Sequence, residues 1–99
     1  MTHTEIDETA LTRLAEIFRA LSDPTRVRLL WRMLDGPQNV GALAAYVGIT
    51  EAGVSHHLRH LRLLHLVQAR KSGREVFYTL SDEHVRDLLR FGLDHATES

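Results

Sequence analysis

The 99-residue sequence predicts a mainly α-helical single domain with one small β-hairpin and about five helices. Three observations carry that reading. Apolar residues recur at three- and four-residue steps through most of the chain, the period of a one-sided helix. Strand-like runs occur only between residues 66 and 80. Groups rich in Gly, Pro, Asp and Thr punctuate the pattern near residues 22–24, 35–37 and 48–50. A chain of this length supports one core, so residues 1–99 read as one domain.

In order, residues 6–21 place Leu11, Leu14, Ala15, Phe18 and Leu21 on one helical face. Ser22-Asp23-Pro24 ends that helix and opens the next: Ser22 or Asp23 supplies a capping oxygen, and Pro24 suits a first helical turn. The second helix runs to about Leu34 with Val27, Leu30, Trp31 and Leu34 as its apolar face, and Asp35-Gly36-Pro37 breaks it. Gln38-Asn39-Val40 is at most a short extended piece. Residues 41–47 form a short helix. In Gly48-Ile49-Thr50, Gly48 suits a left-handed helix end and Thr50 caps the following helix. That helix, about 51–64, buries Val54, Leu58, Leu61 and Leu64. Two helices joined by a short turn containing Gly form a helix-turn-helix. Residues 66–70 and 75–80 read as strands joined by the polar turn Lys71-Ser72-Gly73-Arg74, a hairpin wing with a basic tip. A last helix runs from Ser81 to about Thr97, with Val85, Leu88, Leu89, Phe91, Leu93 and Ala96 apolar and Gly92 among them. The fold class is therefore a winged helix-turn-helix.

Composition narrows the function. At 43% hydrophobic and 25% charged, the chain reads as an ordinary globular protein. No apolar run approaches the ~18 residues of a membrane span, and the polar, acidic start Met1-Thr2-His3-Thr4-Glu5 does not read as a signal peptide. With no cysteine, disulfides, thiolate metal sites and Cys nucleophiles are excluded, which fits a cytoplasmic protein. The net charge of −1 hides a polarised chain: residues 1–16 carry −3, 17–50 carry +2, 51–79 carry +3 and 80–99 carry −3. Binding a phosphate backbone needs a local basic surface, not a basic total. On charge alone the pattern also fits a solvated mixed surface.

A recognition helix reads the major groove with its N-terminal residues. Here Glu51, Ala52, Gly53, Ser55, His56 and Arg59 are not needed by the core periodicity. Ser55 and His56 offer polar atoms to base edges or phosphates, Arg59 reaches phosphate or guanine, and Ala52 and Gly53 permit close approach. Arg70, Lys71 and Arg74 on the wing suit flanking phosphates or a minor groove. His56 and His60, four apart, have the spacing to share a surface metal, but His57 stands where H-E-x-x-H requires a glutamate, so a zinc protease is excluded. His56 reads as a DNA contact, and His57 and His60 as ordinary surface or interface residues. No nucleophile context, phosphate loop or open catalytic metal position supports an enzyme.

The last helix carries Asp82, His84, His95 and Glu98. His84 and His95 share a face but lie ~16 Å apart along the axis, so one ion cannot bridge them. His95 and Glu98, three apart, can share an ion; Asp82 and His84 can do so if the helix start is irregular. Each pair half-fills a tetrahedral site. Asp82 and Glu98 have their midpoint at position 90, and His84 and His95 at 89.5. One two-fold axis near Leu89 and Arg90 therefore brings each pair onto the other pair of a second copy, giving two equal sites. Two imidazoles and two carboxylates in a closed site suit Zn(II), or Co(II) in its place. Without a metal, the same residues are charges on a polar helix, with Asp82 and Glu83 favoured at its N-terminus.

The chain resembles the ArsR/SmtB family of metal-sensing repressors. The resemblance runs through the stretch Phe18-Arg19-Ala20-Leu21-Ser22-Asp23-Pro24-Thr25-Arg26, through Val54-Ser55-His56-His57-Leu58, through Leu66-Val67 and the wing from Gly73-Arg74 to Tyr78, and through the pattern formed by Asp82, His84, His95 and Glu98. It implies a homodimer that holds an inverted-repeat operator in double-stranded DNA when metal-free and releases it when a divalent metal binds. Two departures stand out: the cysteine cluster many members carry near residues 41–47 is absent, and His57 stands where Gln is common. Nickel sensors of the family add further ligands. Here the Thr2 amine, after loss of Met1, and His3 would complete an octahedral Ni(II) site, an alternative to Zn(II). A winged-helix regulator with a vestigial metal site is a further alternative.

Overall fold

A computed structural model describes residues 5–98. Its elements are α1 (Glu8–Leu21), α2 (Pro24–Arg32), a 3-10 turn (Met33–Asp35), α3 (Val40–Val47), α4 (Glu51–Leu63), strands β1 (Val67–Ser72) and β2 (Glu75–Leu80), and α5 (Glu83–Thr97). The five helices and the antiparallel two-stranded hairpin are those the sequence predicts.

Each helix begins where a side-chain oxygen takes up an N–H group that has no partner within the helix. Asp7, Asp23, Asn39, Thr50 and Asp82 accept from Ala10, Thr25, Ala42, Gly53 and Val85 at 3.1, 2.8, 2.7, 3.0 and 3.1 Å. This moves two expected boundaries and decides between two candidate caps for the second helix. The first helix starts at Glu8, because Asp7 is its cap. Asp23, not Ser22, caps α2, while the Ser22 hydroxyl donates to the Arg19 carbonyl at the end of α1. The last helix starts at Glu83, because Asp82 is extended.

The second helix tightens into the 3-10 turn before Gly36, whose φ of 127° only glycine adopts freely. Gly48 is left-handed, as expected, and its N–H donates to the Ala44 carbonyl at 2.8 Å. α4 closes differently. His65 takes the left-handed position (φ 58°) usually given to glycine, with Leu66 N–H bonded to the Leu61 carbonyl and His65 N–H to the Arg62 carbonyl.

The wing turn is tighter than the sequence suggests. Lys71 and Ser72 belong to β1, opposite Val76 and Glu75, leaving only Gly73 and Arg74 in the turn. A two-residue hairpin loop needs a positive φ, which Gly73 supplies at 62°. Gln38 is indeed extended: it exchanges both backbone hydrogen bonds with Tyr78 (3.0 and 2.8 Å) and so pins the segment before α3 to the wing.

The core is a knot of Leu29, Leu30, Met33, Leu43, Val54, Leu58 and Leu61, drawn from α2 to α4, with Leu66, Val67, Leu80, Val85 and Leu89 closing its lower side. The long outer helices bury less than their patterns promise. Leu11, Leu14 and Phe18 of α1 are exposed in the single chain, as are Leu88, Phe91 and Leu93 of α5, with Phe91 at 69%. The reason is geometric: both helices lie at the margin, one face on the core and a second apolar face without a partner. The radius of gyration, 14.7 Å, accordingly exceeds the about 13 Å of a compact 100-residue chain.

Leu30→Ala should lower the unfolding free energy in urea by about 2–5 kcal/mol. Thr50→Ala should cost about 1 kcal/mol through loss of the α4 cap, with Thr50→Ser restoring most of it.

Candidate DNA-reading surface and metal half-sites

Because Val54, Leu58 and Leu61 take the inward face of α4, its other faces are free to point outward. Glu51, Ala52, Ser55, His56 and Arg59 are all exposed. Gly53 is half-buried: a Cβ there would sit 3.3 Å from the Thr50 hydroxyl and 3.4 Å from Ile49 Cδ1. A side chain there would be tight against the turn, apart from any close approach of a partner.

Arg70, Lys71 and Arg74 are exposed on the wing. Strand alternation puts Arg70 and Lys71 on opposite faces of the hairpin. Lys71 shares its face with Ala69 and, through the pairing Ala69–Tyr78, with Tyr78. Tyr78 lines a groove of about 520 Å³ between α4 and the wing, together with Ser55, Arg59, Arg62, Leu63 and His65. Arg62, His65 and Tyr78 were not singled out from the sequence. The spacing of Ser55, Arg59 and Arg62, four and then three residues, does mark one helical flank; the partnership of Tyr78 depends on the fold.

The other flank of α4 departs from expectation. His57 and His60 are not ordinary surface residues. The Arg26 guanidinium, on the first turn of α2, donates from Nε to His57 Nδ1 at 3.0 Å and lies 2.7 Å from His60 Nδ1 through Nη2. Partial burial lowers the His57 pKa; among the charges around it, Asp23 opposes that shift, while Arg26, His56 and His60 add to it. Desolvation, followed by Arg26, His56 and Arg59, lowers that of His60. His56 and His60 do approach, ring centres 4.7 Å apart. A shared metal there would compete with Arg26, however. A neutral His60 that accepts at Nδ1 carries its proton on Nε2.

On α5 the four candidate ligands form two separate pairs. Asp82 caps the helix through Oδ1, which leaves Oδ2 3.7 Å from His84 Nδ1. His95 Nδ1 lies 3.7 Å from Glu98 Oε2 at the far end. Both imidazoles are almost fully exposed, at 95% and 90%. No cluster of three or more His, Asp or Glu able to hold an ion occurs among the described residues. Each pair thus supplies two donors of the kind Zn(II) takes and no more. His3 lies outside the described residues. Gly92 faces open space, with nothing within 4 Å of a Cβ built there.

The start of α5 is tied to the rest of the molecule. Ser81 N–H donates to the Leu66 carbonyl at 3.0 Å, and Gln68 Nε2 to the Ser81 carbonyl at 3.2 Å. One turn on, Arg86 donates to the Leu34 carbonyl at 3.2 Å. No helix among the described residues is long and apolar enough to cross a membrane.

Residues 23–69, from the α2 cap into β1, match the family described as bacterial regulatory protein, arsR family. Among curated proteins, the chain is 45% identical over 87 residues to the transcriptional repressor SmtB homolog of Synechocystis, covering 88% of this chain and 66% of that one. It is 37% identical over 91 residues to the transcriptional regulator NmtR of Mycobacterium tuberculosis, covering 92% and 76%. The chain thus spans about two thirds to three quarters of the length of these relatives. Among solved structures, the homodimeric winged helix-turn-helix DNA-binding domain of a possible ArsR-family regulator from Mycobacterium bovis superposes with a TM-score of 0.83 at 27% identity, covering 96% of this chain and 90% of that one. The cadmium metal-sensor CMTR of Mycobacterium tuberculosis gives 0.66 at 50% identity, covering 76% and 78%. On these likenesses the chain belongs to the arsR family of bacterial regulatory proteins, a family of winged helix-turn-helix DNA-binding regulators and not of enzymes.

Proposed function

We propose that this chain is a metal-responsive transcriptional repressor that binds an inverted-repeat operator as a homodimer and is released when Zn(II) fills two sites between the α5 helices. One observation carries the reading: the four α5 donors stand as two two-ligand pairs at opposite ends of one helix, with nearly coincident midpoints. An antiparallel two-fold pairing of α5 then completes both sites at once. The names of similar proteins support it: one is a repressor, one a cadmium sensor and one a homodimeric DNA-binding domain.

The roles follow from position. Ser55, His56 and Arg59, with Glu51, Ala52 and Gly53 at the helix start, read base edges and phosphates in the major groove. Arg70, Lys71 and Arg74 hold flanking phosphates. Asp82 and His84 of one protomer and His95 and Glu98 of the other hold the metal, which supplies a fixed link between the two helices. Asp82 is joined through Ser81 to Leu66, and Leu66 in turn to Leu61 of α4. A shift of the α5 start is thereby felt at the end of the recognition helix.

Adding Zn(II) to the operator complex should weaken it about 5- to 150-fold, and His95→Ala should abolish the response while leaving metal-free binding intact. Operator affinity indifferent to every divalent metal would sink the reading. Octahedral spectra of the Co(II)- or Ni(II)-loaded protein, in place of tetrahedral ones, would favour nickel with His3 as an added ligand.

Asp82 has two roles, and substitution separates them. Asn caps as well as Asp, so Asp82→Asn should keep metal-free stability yet lose the metal response. Asp82→Ala should lose the response and about 1 kcal/mol of stability besides.

Lys71→Ala should reduce the slope of log affinity against log salt by about 0.9, equally for operator and unrelated DNA. A change confined to the operator would instead make Lys71 a base reader.

A further inference from the structure

We infer that Arg26 is a positioning residue for DNA reading: its guanidinium clasps the recognition helix through two neutral imidazoles, His57 and His60, and adding a proton to either imidazole opens the clasp. The inference rests on the DNA-reading role proposed above for α4.

The apolar contact of α4 with the core is one stripe, Val54, Leu58 and Leu61. Such contact is non-directional and resists lifting the helix more than rolling it about its axis. Rolling is what would re-aim Ser55, His56 and Arg59. Directional bonds on a flank prevent it. Arg26 provides two, at 3.0 and 2.7 Å, to residues three apart on one face of α4. Arg26 is itself fixed at the start of α2, where Asp23 Oδ1 accepts its backbone N–H at 3.4 Å.

The chemistry of the clasp sets its proton dependence. Guanidinium has only donors and stays charged at any working pH. Each Nδ1 must therefore offer a lone pair, so both rings are neutral with the proton on Nε2. Protonating Nδ1 sets N–H against N–H and cation against cation at hydrogen-bond distance. The surroundings reinforce this. Arg26, Arg59 and His56 disfavour a charged ring; Asp23 opposes them at His57; and Glu16 and Arg19 of α1 line the hollow beside His60. Both pKa values lie below the ordinary 6.5. The stabilisation is thus complete above about pH 6.5 and is lost as pH falls through the lowered folded-state values.

A bare charge effect acts on every duplex alike and leaves the preference between duplexes unchanged. Protonated histidines add positive charge and strengthen attraction to phosphate. A fall in operator preference in acid that the His57→Gln/His60→Gln variant lacks therefore reports the clasp.

The test uses the full metal-free chain, kept so with chelator, and compares its affinity for an operator duplex and a scrambled duplex at constant ionic strength. From about pH 8 down through the lowered histidine values, to the lowest pH at which circular dichroism is unchanged, the operator-to-scrambled preference of the native chain should fall about tenfold. The His57→Gln/His60→Gln double variant should keep a high preference that varies less than about twofold, because the Gln carbonyl accepts from guanidinium and does not titrate. Arg26→Ala should have a low preference at every pH. A native preference that is flat or rises in acid overturns the inference, as does the same fall in the double variant. Nitrogen-15 spectra of the imidazoles decide the clasp without DNA: both rings should be Nε2–H tautomers near neutral pH, and any other tautomer overturns it. If the clasp is seen in these spectra and no operator preference exists at any pH, the DNA-reading role fails instead.

Discussion

The packing of α2, α3 and α4 around Leu29, Leu30, Met33, Leu43, Val54, Leu58 and Leu61 is the interaction on which the rest of the molecule depends. These side chains are almost wholly out of water. Burying each such side chain is worth about 1.5–3 kcal/mol. Apolar burial sets which elements meet, but not their angles. Orientation comes from a few polar ties placed around the knot: Arg26 on one flank of α4, the Gln38–Tyr78 bridge beneath α3, and the Ser81–Leu66 bond between wing and α5. Each joins a helix or strand of the DNA-binding unit to its neighbour. The surface that faces outward is therefore held from several sides, and a change at any tie reaches it.

Much of this was legible in the sequence because it is locally encoded. Asp23, Thr50 and Gly48 announce helix starts and stops through their own backbone preferences, and Val54, Leu58 and Leu61 announce the inward face of α4 by spacing alone. What was not legible depends on residues far apart in the chain. Arg26 and its two histidines are separated by 31 and 34 positions. No period links them, and an imidazole that accepts a bond looks in sequence like one that does not. The same holds for Tyr78 in the groove beside Arg59 and Arg62. Misplaced boundaries have a simpler cause. A capping residue stands outside its helix, so with Asp7 and Asp82 as caps α1 and α5 start at Glu8 and Glu83 and not at residues 6 and 81.

The α5 pairs are a middle case. Spacing alone separates Asp82–His84 from His95–Glu98, since a helix rises 1.5 Å per residue and does not bend enough to close ~16 Å. The extended backbone of Asp82 is what lets its carboxylate turn toward His84 while capping the helix. Local geometry thus fixes each half-site, but not what lies opposite it.

The single chain has two shortfalls of different kinds. It leaves the apolar faces of α1 and α5 in water, with Phe18 and Phe91 more than half exposed. In the metal site proposed above, each end of α5 also supplies only two of the four donors that a closed Zn(II) site takes. A partner that covered only the apolar faces would leave the donors half-matched, and one that brought only donors would leave the faces wet. In the proposed dimer a single two-fold axis across α5 answers both, because Phe91 and Leu88 lie between the two pairs of donors and Phe18 of α1 lines one groove with Leu88, Gly92 and Leu93. Metal and association are then linked: an ion that needs donors from both protomers binds the dimer and not the monomer, and so stabilises the dimer by mass action. On the proposed function the same axis relates the two α4 helices, so a change that metal made at one α5 pair would be matched at the other, and both halves of an inverted-repeat operator would feel it together.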